Sequence, residues 1–146
     1  MDKKYICYCG LYCENCAVKA KIEPAAVVLL NEMQKAGFEE TINYIPNGEG
    51  FWSFLKQMAS FGLCISCKEG GGDPRCPIRI CARDKGLDMC ALCSSYPCNL
   101  FSAFLERNST LEHDNMLLRD KGFDEWAELQ DKRKLNEYTL QDDHKK

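Results

Sequence analysis

Apolar positions along the chain recur at intervals of three and four, the spacing of one helix face. Ala26, Leu30, Met33 and Ala36 make one such face, which Pro24 suits at its first turn and Gly37 can stop. Phe51, Phe54, Leu55 and Met58 make a second, ending near Gly62, and Tyr44-Ile45-Pro46-Asn47-Gly48 reads as the link between the two. Later, Ser95 and Pro97 open a segment whose face is Phe101, Phe104 and Leu105. Ser109 and Glu112 have the spacing of a capping box for the next helix, which Gly122 would end. Phe123, Trp126 and Ala127 then begin a last helix. No stretch alternates with the period of two that a half-buried strand needs, and there is no internal repeat or low-complexity segment. From about Asp131 the chain is nearly all polar, and QDDHKK reads as a frayed end. The pattern therefore predicts a mainly α fold. One small domain of short helices spans residues 1–135 around a cysteine-rich centre, and residues 136–146 form a polar, frayed tail.

Short helices with narrow apolar faces are marginal in water, so something besides the helices must hold this fold. The chain has 146 residues and eleven cysteines, dense enough to be that something. Dense cysteine means disulfides in a secreted protein and metal or redox chemistry in a reducing compartment. MDKKYICYCG has the basic start of a signal peptide without its apolar run, and AAVVLL at 25–30 is far too short to span a bilayer. A cytoplasmic protein with reduced thiols is expected, and the odd cysteine count also argues against a closed set of disulfides. The formal net charge of −3 gives no general grip on nucleic acid or on an anionic membrane, and neither partner is expected.

The cysteines fall in two clusters, residues 7–16 and 64–98. Three pairs share the C-x-x-C spacing: Cys13 with Cys16, Cys64 with Cys67, and Cys90 with Cys93. Two intervening residues let the chain turn so that both thiolates face one ion, and zinc takes four such ligands in a tetrahedron at about 2.3 Å. With Cys9, Cys76, Cys81 and Cys98 the candidate ligands number ten, two more than two full sites need. Buried free cysteines can simply be small hydrophobes. That bland reading fits the unpaired Cys7, whereas the others flank glycine, proline and charge. A structural zinc can supply on the order of 10 kcal/mol of folding free energy to a small domain. Two zinc ions stapling the cysteine-rich centre are the leading expectation. Lys68, Arg75, Arg79, Arg83 and Lys85 could offset thiolate charge, or be solvated and paired with Glu69, Asp73, Asp84 and Asp88.

Cys9, Cys13 and Cys16 also spell C-x-x-x-C-x-x-C, the spacing with which radical-SAM enzymes hold three irons of a [4Fe–4S] cluster. Those enzymes need a long α/β barrel, and Asn15 stands where an aromatic is usual, so that class is rejected. A [4Fe–4S] cluster remains the alternative cofactor, because four cysteines are also its usual ligand set. Gly70-Gly71-Gly72-Asp73 lacks the Gly-Lys-Ser/Thr of a phosphate cradle and reads as a loop between ligand groups. His113, in a predicted helix, reads as a surface residue. Tyr5, Tyr8 and Tyr12 read as packing against the first metal site rather than as a base-stacking platform.

In order along the chain, CGLYCENC, CISC, CPIRICARDKGLDMCALCSSYPC and KGFDEWAELQDKR together resemble an uncharacterised cysteine-rich family, domain of unknown function 3795. The resemblance covers almost the whole chain. It implies a small metal-binding protein, with zinc as the metal and no assigned activity. By motif position it supports Cys9, Cys13, Cys16, Cys64, Cys67, Cys76, Cys81, Cys90, Cys93 and Cys98 as ligands and leaves Cys7 outside the pattern.

Three functions follow in order of expectation. The first is a structural zinc module that binds a protein partner, since all-cysteine sites are closed and saturated. The second is an iron–sulfur redox or sensor protein. The third is a thiol enzyme or metal carrier using Cys7 or another spare thiol, although no catalytic signature is present. A site joining the opening motif to distant cysteines would tie both ends of the chain together.

Overall fold

A computed structural model describes residues 2–105, 108, 110–140 and 142. Among the described residues the regular structure is helical, and the one β feature is an isolated antiparallel bridge between Ile6 and Tyr12. The small, mainly α domain expected from the apolar spacing is what forms. Its backbone groups into two compact units, Ala17–Cys64 and the combination of Met1–Cys16 with Ile65–Lys146.

Unit Ala17–Cys64 begins with a wide π turn, Val18–Ile22, in which Glu23 N–H reaches back five residues to the Val18 carbonyl. Pro24 follows at once; it has no amide to donate and its ring crowds the preceding turn, so the wider turn sits where the ordinary bond is lost. Helix α1 (Glu23–Lys35) ends at Ala36, and Gly37 takes the left-handed conformation (φ 74°) expected of a helix stop. A short α2 (Phe38–Thr41) leads to α3 (Gly48–Ala59), which packs on α1. Ala26, Ile42, Trp52 and Leu55 are buried between these elements, with Leu30, Met33 and Met58 against them. The core side of α3 therefore differs from the predicted face. Trp52 takes it with Leu55, and Phe51 and Phe54 point to solvent. The two stripes share Leu55 and Met58 and differ by one residue, about 100° around the axis. The larger indole fills the space facing Ala26 and Ile42.

Glu23 is fully buried in this unit. Its carboxylate meets Lys19 Nζ at 2.9 Å and accepts from Leu63 N (3.0 Å) and Cys64 N (3.4 Å). Lys19 Nζ also donates to the Phe61 carbonyl at 2.9 Å. One acid at the start of α1 thus fastens the segment that leaves the unit.

The other unit carries ten of the eleven cysteines, all but Cys64. Its helices are α4 (Pro77–Asp84), α5 (Asn99–Leu105), α6 (Leu111–Lys121) and α7 (Phe123–Leu135). Ser109 lies outside the described residues, and α6 opens after Thr110 with no side-chain cap. Gly122 (φ 88°) separates α6 from α7. Trp126 on α7 is wholly buried among Ile6, Tyr12, Met89, Ala91 and Leu118, and Tyr12 meets it edge-on at 6.1 Å. A second apolar group gathers Ile78, Tyr96, Phe101 and Leu111 around Cys9. Past the last helix, Tyr138 N–H donates to the Arg133 carbonyl, and Thr139 is buried.

Polar side chains inside this unit are wired to one another. Asn15 Nδ2 donates to Gln130 Oε1 at 2.8 Å, and Gln130 Nε2 donates to Asp114 Oδ2 at 2.9 Å. Arg133 grips both oxygens of Asp114. Buried polar groups are tolerable only when paired in this way, and losing one partner leaves the other with an unmet desolvation cost.

Two stability predictions follow. Glu23→Gln should lower unfolding free energy by about 3 kcal/mol, because it leaves a nearly buried Lys19 without its counter-charge; urea denaturation reads this. Gly50 lies inside α3 with open space around its α-carbon, so Gly50→Ala should stabilise by about 0.5–1 kcal/mol. A loss of stability in that variant would mean that α3 is placed wrongly.

Candidate metal centre

The opening cysteines sit on a tight loop. Ile6 and Tyr12 bridge its ends, Cys7 N–H bonds the Leu11 carbonyl at 2.8 Å, and Gly10 N–H turns back to the Cys7 carbonyl at 2.9 Å. Gly10 has φ 97°, and a β-carbon there would lie 1.9 Å from Asn115 Oδ1, so the position excludes any side chain. Asn115, fully buried on α6, explains the close approach. Its Nδ2 donates to the Cys9 carbonyl at 2.9 Å and to Tyr96 Oη at 3.2 Å.

Two of the three C-x-x-C pairs adopt one local shape. Cys13–Asn15 and Cys90–Leu92 are single 3₁₀ turns, each entered from an extended residue. In each, the second cysteine returns its N–H to the carbonyl of the first at 3.0 Å. Cys16 (φ −74°, ψ 136°) and Cys93 (φ −71°, ψ 137°) leave these turns in nearly the same conformation. The third pair differs: Cys67 starts a turn, Cys67–Glu69, instead of finishing one, and Cys64 belongs to the other unit.

The thiols gather in two groups. Cys7 Sγ lies 3.3 Å from Cys13 Sγ, and Cys7 is near enough to raise the proton affinity of Cys9 and Cys67. Tyr8 N–H donates to Cys67 Sγ at 3.4 Å, while the Tyr8 carbonyl accepts from Cys90 N–H at 2.7 Å. The Tyr8 peptide thus links the opening motif to Cys67 and Cys90 of the later cysteine segment. The second group is Cys90 with Cys81, Cys93 and Cys98 near enough to act on its proton affinity. Lys85 Nζ stands 3.4 Å from Cys93 Sγ, and Arg119 Nη1 donates to the Ala91 and Cys93 carbonyls at 2.6 and 2.7 Å. Cys76 caps the start of α4 and packs against the apolar group around Ile78. Cys16 closes the first turn at partial burial, and Cys64 takes the Glu23 bond described above.

Crowding sets the proton affinity of these thiols. Contact with Cys7, then burial, pushes Cys9 well above the ordinary thiol range, and Cys67 rises for the same two reasons in the same order. Burial, followed by the neighbouring Cys98, Cys93 and Cys81, raises Cys90 to about 11. Cys93 moves the other way: the Ser95 backbone N–H and the Lys85 ammonium hold it below the usual value.

All eleven cysteines are free thiols. Among the described residues no three or more Cys, His, Asp or Glu side chains stand in a ready metal-holding arrangement. The donor set itself fits a thiophilic ion. A tetrahedron with bonds of about 2.3 Å places sulfurs about 3.8 Å apart, and Cys7 and Cys13 at 3.3 Å would have to move apart to reach it. Backbone N–H and ammonium donors already point at Cys67 and Cys93, the kind of outer contact that orients metal-bound sulfur.

Cys7, which the spacing leaves outside the C-x-x-C pairs, lies beside Cys13 after folding. The cations divide by role. Arg75 pairs with Asp73 at 3.5 Å and Lys68 with Asp88 at 4.0 Å, while Lys85 faces sulfur. The glycine loop is a turn, with Gly71 N–H on the Ser66 carbonyl and Arg79 on the Gly71 carbonyl. His113 is exposed and touches Asp114, a surface residue as expected. Tyr12 packs edge-on against Trp126.

The anchoring of the loop is open to test. Gly10→Ala should cost about 2 kcal/mol or more, because it meets both a forbidden φ and the Asn115 amide. Thermal unfolding of the metal-free protein reads that loss without reference to any ion.

No curated protein and no solved structure matches the chain. A family pattern does match, over residues 5–103, a span that holds the thiol loop, both 3₁₀ turns and every cysteine. On that match the chain belongs to the family described as Protein of unknown function (DUF3795).

Proposed function

We propose that the chain is a zinc protein whose thiolates hold two ions, and that it serves as an interaction module for a protein partner. The observation that carries the reading is the convergence of Cys7, Cys9 and Cys13 with Cys67, which is reached across 59 residues from the Tyr8 amide it accepts. A cation at that point would tie the loop to the segment after Ile65 and relieve the crowding of thiols. Cys81, Cys90, Cys93 and Cys98 would form the second set, with Lys85 offsetting part of its negative charge. Four thiolates saturate zinc and leave no open position for a substrate, which favours a structural role over catalysis.

An interaction role draws support from the exposed apolar side chains Val28, Leu29, Phe51 and Phe54 in unit Ala17–Cys64. No described helix is long and apolar enough to cross a membrane. Eleven free thiols suit a reducing compartment such as the cytoplasm.

Metal analysis of protein purified without oxygen should find about two zinc ions per chain and no visible absorption. Iron with matching sulfide and a broad band near about 400 nm would replace this reading with a [4Fe–4S] redox or sensor protein. Cys7→Ser should remove about one zinc per chain, as should Cys93→Ser, and the double variant about two. Unchanged stoichiometry in Cys7→Ser would count against the first ligand set. Complete chelation should melt much of the helical signal in circular dichroism; retention of the full signal would sink the stapling role.

A further inference from the structure

A cavity of about 450 Å³ opens in the cysteine-bearing unit, on the side of the thiol loop that carries Ile6. Ile6, Met89, Leu118 and Phe123 supply an apolar lining, and most of it belongs to the buried core around Trp126. Lys3, Lys4 and Lys68 stand at the same cavity, with Asp88 as the acid among the lining residues. Three ammonium groups at one apolar hollow need a reason in a chain whose net charge is −3.

The lysines differ in how far their charge is already met. Lys4 is paired with Asp2 at 3.1 Å. Lys68 is mostly buried, lies over the Tyr8 ring, and reaches Asp88 only at 4.0 Å, the outer limit of an ion pair. Lys3 has no carboxylate partner among the described residues, and its ammonium is held 4.8 Å above the Phe123 ring. A cation parked on an aromatic face at the mouth of an apolar cavity is placed to meet an anion whose body lies inside. Met89 in the lining is unbranched and adaptable, a side chain that follows ligands of varied shape.

We infer that this cavity binds a small amphipathic carboxylate, its apolar body against Ile6, Met89, Leu118 and Phe123 and its head group between Lys3 and Lys68. A volume of about 450 Å³ is at the small end of ligand pockets, which run from about 300 to 1,000 Å³. The lining suits one apolar chain or ring with one negative group. A cation would meet like charge, and a fully polar anion would leave the apolar surface unused.

The site does not depend on which metal the thiols hold. Its walls are nonetheless the immediate neighbours of Cys7, Cys67 and Cys90, so occupancy should be felt at the thiol loop.

The test uses the full chain as purified, titrated with octanoate and, separately, with octanol, and followed by ¹H–¹⁵N correlation spectra. Octanoate should shift the amides of Ile6, Lys68, Met89 and Phe123 saturably, and octanol should bind about tenfold more weakly. The double variant Lys3→Gln, Lys68→Gln should bring octanoate down to the octanol level while leaving octanol unchanged. Absence of saturable shifts with octanoate up to about 10 mM would overturn the site. Equal binding of both ligands, or octanoate binding indifferent to the lysine changes, would overturn the anionic head group. Dispersed spectra and unaltered metal content in the double variant separate loss of the pocket from loss of the fold.

Discussion

Asn115 is the side chain on which the cysteine-bearing unit depends most. Wholly buried on α6, it spends its amide hydrogens on the Cys9 carbonyl and the Tyr96 hydroxyl. That bond brings the backbone of the opening loop against a helix more than a hundred residues later. Only glycine can stand at position 10 under that contact. With the loop held there, Cys7 and Cys9 face Cys13 and Cys67, and the Tyr8 peptide bridges the later cysteine segment on both sides. The thiols are gathered by backbone hydrogen bonds and packing, with the Tyr8 N–H donating to Cys67 Sγ.

The same economy recurs in the buried polar chain from Asn15 through Gln130 and Asp114 to Arg133. Asn15 lies in the first 3₁₀ turn, Asp114 on α6, and Gln130 and Arg133 on α7. The links share partners, one joining the first C-x-x-C turn to α7 across 115 residues and the others joining α6 to α7, so a fault in one is felt at the others. In unit Ala17–Cys64 Glu23 plays the corresponding part, closing a stretch of about forty residues with one carboxylate. Small helices with narrow apolar faces are stapled in both units by a buried polar residue as well as by packing.

Several elements were legible because their signals are local. Pro24 and Gly37 bracket α1, and Gly122 separates α6 from α7, for reasons of φ and missing amides that need no tertiary context. The face of α3 was read one residue off, because Phe51 and Trp52 are both large and apolar and only the shape of the facing surface chooses between them. Polarity along the chain says nothing of a hydroxyl such as Thr139, which is buried and donates to Asp142 Oδ2.

What the sequence settled by itself was the helical class, the helix boundaries set by proline and glycine, and a store of thiols in C-x-x-C turns. Those features depend on neighbours within four or five positions. Which thiols meet was decided by the tertiary structure. Cys7 joins Cys13 and Cys67, and Cys64 goes with the other unit, although spacing ties Cys64 to Cys67. The lysine-rimmed cavity was likewise invisible along the chain, since Lys3, Lys68 and Phe123 share a site only after folding. Spacing along a chain limits which side chains can share a turn, and long-range packing alone selects which turns come to share a place.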